Sequence, residues 1–197
     1  MRKVIVQEFT TIDGFAAGPN GELDFIGEST DVDAAAGEAS KEQLRFIGTI
    51  DTILLGAVTY RMFAGYWPEQ TTDTELIADA LNATPKVVFS QTLERAPWGT
   101  WEDARVVAGS ASEEVARLKR EPGKDMVVWG SLSLVQSLMQ DDLVDEYRLW
   151  ICPLVLGDGK RLFVEGIDLQ RMGWLETTTH EGGVVSLRFR PRSLVSS

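Results

Sequence analysis

Apolar residues in this chain fall into short runs separated by stretches with helical spacing. Residues 3–9, 52–56, 86–90, 105–108 and 125–129 are rich in Val, Ile and Leu and read as strands buried on both faces. Such strands, alternating with helices, predict a largely parallel sheet covered on both sides. Two segments, Ser40-Lys41-Glu42-Gln43 and Thr72-Asp73-Thr74-Glu75, fit a capping box, so a helix is expected after each. Residues 112–120 place Val115 and Leu118 three apart, acids first and bases last, as a helix dipole favours. Past Gly130, Leu132, Val135 and Leu138 or Met139 recur at helical spacing, so the strand at 125–129 runs into a helix through Gly130-Ser131.

The last third differs. Residues 145–153 alternate Tyr147, Leu149 and Ile151 against Arg148 and Trp150, the pattern of a less deeply buried strand. Residues 172–180 and 184–190 flank Glu181-Gly182-Gly183 and predict an antiparallel hairpin that closes the sheet. No repeat, linker or composition break divides the chain. The expectation is an α/β fold in a single domain over residues 1–197, with a mostly parallel central sheet, helices on both faces and a C-terminal hairpin.

Composition narrows what such a domain does. With 197 residues, 44% hydrophobic and 25% charged, the chain can bury one core unaided. A net charge of −11 repels nucleic acid and anionic lipid, so neither is an expected partner, although a small anion can still bind locally to backbone N–H groups. The single cysteine, Cys152, excludes an internal disulfide and a cysteine-based zinc cage, and it reads as a small core filler in its strand. The single histidine, His180, precedes a hairpin turn and reads as solvated or turn-packing, which disfavours Ser-His-Asp hydrolysis. The acids Glu28, Asp31, Asp33, Glu38 and Glu42 lack ligand spacing and read as a solvated face, so no metal is expected. The apolar run at the N-terminus is interrupted by Gln7 and Glu8, too early for a signal peptide, and no segment reaches a membrane span. A cytoplasmic location is expected.

Neither a Rossmann glycine fingerprint nor a Walker loop occurs. Two junctions, Leu54-Leu55-Gly56-Ala57-Val58-Thr59-Tyr60 and Val128-Trp129-Gly130-Ser131-Leu132-Ser133, instead run from a buried strand through glycine into a helix start. Taken singly, each is a turn glycine with a capping hydroxyl. Taken together, they are two helix N-termini, each with unpaired donors and roughly half a positive charge, that could bridge one pyrophosphate. In an open α/β sheet, ligands bind outside the carboxyl ends of the strands, where Asp13, Gly56, Ser90 and Gly130 would gather. Asp13 reads equally as a turn residue before Gly14. Gly157-Asp158-Gly159 is a tight turn or a substrate contact, and Trp67, Trp98 and Trp101 wall either a pocket or a subunit contact.

Five motifs in order, Asp13-Gly14-Phe15-Ala16-Ala17-Gly18, Leu55-Gly56-x-x-Thr59-Tyr60, Val128-x-Gly130-Ser131, Leu143-Val144-Asp145-Glu146 and Pro153-Leu154-Val155-Leu156-Gly157-Asp158-Gly159, carry a resemblance over residues 3 to 190. The chain resembles the dihydrofolate-reductase-like family, and within it the reductase domain of the bifunctional riboflavin-biosynthesis deaminase-reductase and its stand-alone relatives. That resemblance implies a three-layer dihydrofolate-reductase-like fold and an oxidoreductase that transfers hydride from NADPH to a pyrimidine or pterin-like small molecule, like 5-amino-6-(5-phosphoribosylamino)uracil reductase. It implies a homodimer.

By motif position it implies cofactor binding by Ala16, Gly56, Thr59, Tyr60, Ser90, Gln91, Thr92, Gly130, Ser131 and Leu132, substrate binding by Phe15, Pro153 and Leu156, and a catalytic role for Asp13, orienting the substrate and favouring its cationic form. Ala57 stands where the family commonly carries an arginine that holds the adenosine phosphate, which admits NADH beside NADPH. Arg61, one turn later, is a candidate substitute. Glu38 and Glu42 are candidates for the acid that dihydrofolate reductases place on the first helix. The alternatives are a dihydrofolate reductase, or a nucleotide-binding sensor that keeps the fold without turnover. No deaminase zinc motif is present, so the chain cannot carry both activities of the bifunctional enzyme.

Overall fold

The computed structural model describes residues 1–28, 32–166 and 170–192, with side chains described outside 27–28, 32–39 and 181. In chain order the strands are β1 (Val4–Thr11), β2 (Phe15–Ala17), β3 (Ile50–Gly56), β4 (Lys86–Phe89), β5 (Ala96–Trp98), β6 (Trp101–Val107), β7 (Asp125–Trp129), β8 (Glu146–Cys152), β9 (Lys160–Arg161), β10 (Arg171–Thr179) and β11 (Val185–Arg192). The helices are α1 (Asp24–Glu28), α2 (Val32–Ile47), α3 (Ala57–Ala64), α4 (Ala78–Ala83), α5 (Ala111–Arg120) and α6 (Leu132–Gln140). Nine of the described strands form one sheet in the order β10-β11-β8-β1-β7-β3-β4-β6-β5. The six from β8 to β6 are mutually parallel, while β5, β10 and β11 are antiparallel additions at the two edges. The α/β class, the central parallel sheet and the C-terminal hairpin are as expected from the sequence.

Burial explains the strand composition. Val4 and Val6 of β1, Leu54 of β3, and Met126 and Val128 of β7 pack with Val115, Leu118, Leu134, Val135 and Leu138 of α5 and α6 on one face. Ile5, Ile53, Leu55 and Val127 point the other way, against Phe46, Ile47, Tyr60 and Leu81 of α2, α3 and α4. Strands enclosed on both faces have no polar side, which is why they read as unbroken apolar runs. A nearly continuous core of this kind is stabilised by roughly 1.5–3 kcal/mol per buried aliphatic side chain.

Three expectations need correction. Ser40 does not open a helix but lies within α2, which begins at Val32. The run Ala34-Ala35-Ala36 contains the best helix formers and carries the helix upstream of the apparent cap. The Thr72 box does not cap a helix either. Thr74 is spent on a turn with Thr71, Glu75 accepts the Tyr66 hydroxyl, and α4 starts only at Ala78. Finally, β8 is deeply buried despite its alternation. Arg148, only 8% exposed, donates to the Glu42 carboxylate at 2.9 Å and stacks over the Phe46 ring, so its charge is compensated inside the fold.

Candidate functional site

Because β3 and β7 are adjacent and parallel, with Leu54 opposite Val128, their carboxyl ends come side by side. The Gly56 and Gly130 bends follow, and side chains tie them together. Ser131 Oγ accepts the Gly56 N–H at 2.8 Å and lies 3.3 Å from the Trp129 carbonyl oxygen, to which it donates. The Ser131 N–H donates to Thr59 Oγ1 at 2.9 Å. Gly130 and Ser131 both have positive φ, 57° and 60°, and a Cβ on Gly130 would approach Thr59 Cγ2 to 3.0 Å, so a side chain there would be strained and would crowd Thr59.

The two bends therefore share one edge of the sheet, but two of the N–H groups expected to face an anion, those of Gly56 and Ser131, are used in joining them. The N–H groups of Ala57, Val58, Leu132 and Ser133 at the starts of α3 and α6 have no acceptor within their helices, that of Leu134 being taken by the Ser131 carbonyl at 2.8 Å, and no side chain caps either helix among the described residues. Ala57 and Val58 of α3 and Leu132 and Ser133 of α6 line a cleft of about 1230 Å³.

Of the residues singled out in the sequence, Ala16, Gly56, Thr59, Gly130, Ser131 and Leu132 also line this cleft. The other candidate cofactor, substrate and catalytic residues lie elsewhere. Tyr60 is turned into the core, 5% exposed, with its hydroxyl donating to the Pro97 carbonyl at 2.8 Å and its ring 6.3 Å from that of Trp98. Burial, assisted by Asp103 and opposed by Arg61, holds that hydroxyl above its ordinary pKa. Arg61 is exposed outside the cleft wall, because Val58 and Met62 form the face of α3 that lines it. Ser90, Gln91 and Thr92 form a turn just past Phe89, with Ser90 Oγ accepting from the N–H groups of Thr92 and Leu93. Phe89 lines the cleft and those three do not.

Asp13 is also engaged. Its carboxylate accepts the Thr11 hydroxyl and the N–H groups of Leu156 at 3.1 Å and Gly157 at 2.8 Å. The Thr11 hydrogen bond, with those backbone donors, lowers its pKa to about 2. Asp13 thus fastens the loop after β8 to the end of β1, at the same sheet edge but outside the cleft wall. Phe15 is buried beneath the Arg161 guanidinium, 4.2 Å from its ring centroid. Pro153 and Leu156 likewise lie outside the lining, where Cys152, Lys160 and Arg161 take part instead. Gly157-Asp158-Gly159 is a turn: a Cβ on Gly159 would sit 2.2 Å from the Ala17 carbonyl oxygen.

Residues to which the sequence gave no site role complete the wall. Phe9, Trp129, Trp150, Gln43 and His180 line it beside β1 and β8. His180 is buried rather than solvated, stacked on Trp150 at 4.6 Å and hydrogen-bonded to Ser186 at 2.9 Å. Trp67 lines the cleft, whereas Trp98 is fully buried with its indole N–H on Asn82.

Glu8, seen in the sequence only as an interruption, is 6% exposed in the cleft wall, and its Oε1 finds no hydrogen-bond partner among the described residues. Burial raises its pKa well above the ordinary carboxylate value. The usable signal was an acid on the same strand face as the buried Val4 and Val6. Glu42 is held by Arg148 outside the lining, and the side chains of Glu28, Asp31, Asp33 and Glu38 lie outside those described. No cluster of three metal-capable side chains occurs among the described residues, and no described helix is long and apolar enough to cross a membrane.

Comparison with known proteins adds independent findings. A model of the RibD C-terminal domain family matches residues 2–186. The uncharacterized protein YyaP of Bacillus subtilis is 33% identical over 188 residues, spanning 94% of this chain and 93% of its own. The uncharacterized YwjB of the same organism is 25% identical over 193 residues, spanning 95% and 97%. Among solved structures, a putative riboflavin biosynthesis protein from Shewanella sp. PV-4 superposes with a TM-score of 0.74 at 19% identity, covering 96% of this chain and 99% of that one. A pyrimidine reductase-like protein from Corynebacterium diphtheriae gives 0.60 at 15% identity, covering 97% and 92%. The deaminase/5-amino-6-(5-phosphoribosylamino)uracil reductase of Thermotoga maritima gives 0.64 at 11% identity, with this chain covering 57% of its length. The structural matches share the fold.

Proposed function

Since this chain belongs to the RibD C-terminal domain family, we propose that it is a riboflavin-pathway-like reductase that uses NADPH or NADH to reduce a pyrimidine or pterin-like small molecule. The observation that carries this reading is the pair of joined bends: two uncapped helix starts at neighbouring strand ends open on one cleft that continues across β1 and β8. The donors fit a dinucleotide. The first-turn N–H groups of Ala57, Val58, Leu132 and Ser133 are suited to its diphosphate, and Gly130 lets an oxygen approach the backbone.

A bound reduced nicotinamide supplies hydride, and the protein's part is alignment, exclusion of water and control of charge at the acceptor. Ala16 and Ala17 of β2, together with Trp129 and Trp150, give the reacting region small and apolar walls. Asp13 contributes indirectly by pinning the loop after β8, so that Lys160 and Arg161 are held at the cleft mouth. Ala57 offers no side-chain charge to a ribose phosphate, which favours tolerance of NADH. A homodimer and a cytoplasmic location complete the proposal by analogy with the family.

Thermal shift with NADPH, NADH and FMN tests the binding step. Ligand at a hundredfold excess over Kd stabilises by about 2.7 kcal/mol, a rise of roughly 5–10 °C for a domain of this size. Consumption of NADPH against dihydrofolate and a ribosylaminopyrimidine tests turnover. Binding without turnover on either acceptor favours the sensor reading, and absence of any dinucleotide shift removes the reductase reading.

A further inference from the structure

Among the described residues, Glu8 is a buried side chain in the cleft that the fold leaves with an unpartnered polar atom. Strand alternation puts it on the same face as Val4 and Val6, next to Leu149 of β8 and one step beyond the Gln7–Trp129 pair, level with the Gly130 bend. Its polar neighbours in the sheet are satisfied: Gln7 donates to Gln43 at 3.0 Å, Arg148 pairs with Glu42, and Glu146 accepts from Arg188 at 2.9 Å. Glu8 Oε1 has no donor among the described residues. Lys160 and Arg161 line the same cleft, but neither hydrogen-bonds to Glu8 Oε1, and Arg161 is committed to the Phe15 ring and the Asp13 carbonyl.

Burial without a donor at Oε1 opposes the ionised form of this carboxyl and favours the neutral one. A neutral carboxyl carries a proton to give, and an inward-facing acid in a ligand cleft points to a ligand that takes it.

We propose that Glu8 is the proton donor of the reduction, hydrogen-bonding through its neutral carboxyl to an sp2 nitrogen of a conjugated C=N acceptor. The inference rests on the reductase reading above. In the balanced step, the acceptor carbon gains a hydride from the reduced nicotinamide, which is oxidised, and a C–H bond forms. The C=N π pair moves onto nitrogen, which takes the proton from the Glu8 O–H. Glu8 is left as a carboxylate that its surroundings disfavour, so it regains a proton from water when product leaves. The substrate class is thereby narrowed to cyclic or ribosylated imines whose nitrogen lies beside the carbon being reduced.

The test compares wild type with Glu8→Gln and Glu8→Leu. Infrared spectra of the ligand-free protein at neutral pH should contain a protonated-carboxyl C=O band that Glu8→Gln lacks, and absence of that band in the wild type overturns the proposal. With NADPH and either dihydrofolate or a ribosylaminopyrimidine, Glu8→Gln should keep KM within about threefold, since its amide still donates, and lose about 10²–10⁴-fold in kcat. Glu8→Leu should lose both. The NADPH thermal shift of Glu8→Gln should match that of the wild type, which separates lost chemistry from lost folding. If Glu8→Gln keeps kcat, only this inference falls. If the wild type neither binds nor oxidises NADPH, the reductase reading falls and takes the inference with it.

Discussion

At the residue scale, the difference between Asp13 and Glu8 comes from their surroundings. Both are carboxyls near the carboxyl end of β1, yet the Thr11 hydroxyl and two backbone N–H groups stabilise the charge on Asp13, while burial opposes it on Glu8, whose Oε1 finds no donor among the described residues. The stability consequence of Glu8 has a definite sign. A carboxyl whose folded pKa lies above its unfolded value of about 4.3 costs nothing below that pH and destabilises progressively as pH rises toward the folded value. The melting temperature of Glu8→Gln minus that of the wild type should therefore grow as pH rises above about 4, and a constant difference in a calorimetric series would contradict it. Thr59 is a second case. Thr59→Val keeps the shape but removes the acceptor of the Ser131 N–H in a buried position, at a cost of about 1–3 kcal/mol in denaturant unfolding, and it should weaken dinucleotide binding by loosening the joined bends.

At the scale of elements, the helices differ in what they give the site. In α6, Leu134, Val135, Leu138 and Met139 are buried and fix the helix on the sheet, so that its start is held against α3. In α3, rotation by about 100° per residue sends Thr59 and Tyr60 inward and aims Val58 and Met62 at the cleft, leaving Arg61 outside it. Arg61→Ala should therefore leave the ratio of NADPH to NADH affinity unchanged, which paired titrations of the variant and wild type would measure. The sequence made α5 and α6 legible because their apolar residues recur at helical spacing. It left β2, β5 and β9 invisible, since strands of three, three and two residues are too short to carry a period. The apparent boxes at Ser40 and Thr72 misled because a capping signature is local, while helix boundaries answer also to propensity upstream and to competing turns.

For the whole molecule, the net charge of −11 sets a long-range field that opposes an anionic cofactor even where local N–H groups attract it. Added salt screens that repulsion over a Debye length of about 10 Å at 0.1 M. The association rate of NADPH in stopped-flow fluorescence should thus rise with ionic strength from about 0.01 to 0.1 M, and a fall would mean that local positive potential outweighs the global charge. The parallel order β8-β1-β7-β3-β4-β6 brings the carboxyl ends of β1, β3, β7 and β8 to one edge, which is why a cleft forms there.

The sequence by itself determined the α/β class, the order of the main strands and helices, the terminal hairpin and the two strand–glycine–helix junctions, because periodicity and turn chemistry are written within a few neighbouring residues. Only the tertiary structure decided which donors remain for a ligand and which buried carboxyl oxygen finds no donor among the described residues. The Ser131 hydroxyl reaches Gly56 across 75 positions, and Asp13 reaches Gly157 across 144. Burial and hydrogen-bond satisfaction are set by such distant neighbours, so a carboxyl that looks the same in the sequence becomes a fastened anion at Asp13 and, at Glu8, a buried acid whose charged form is disfavoured.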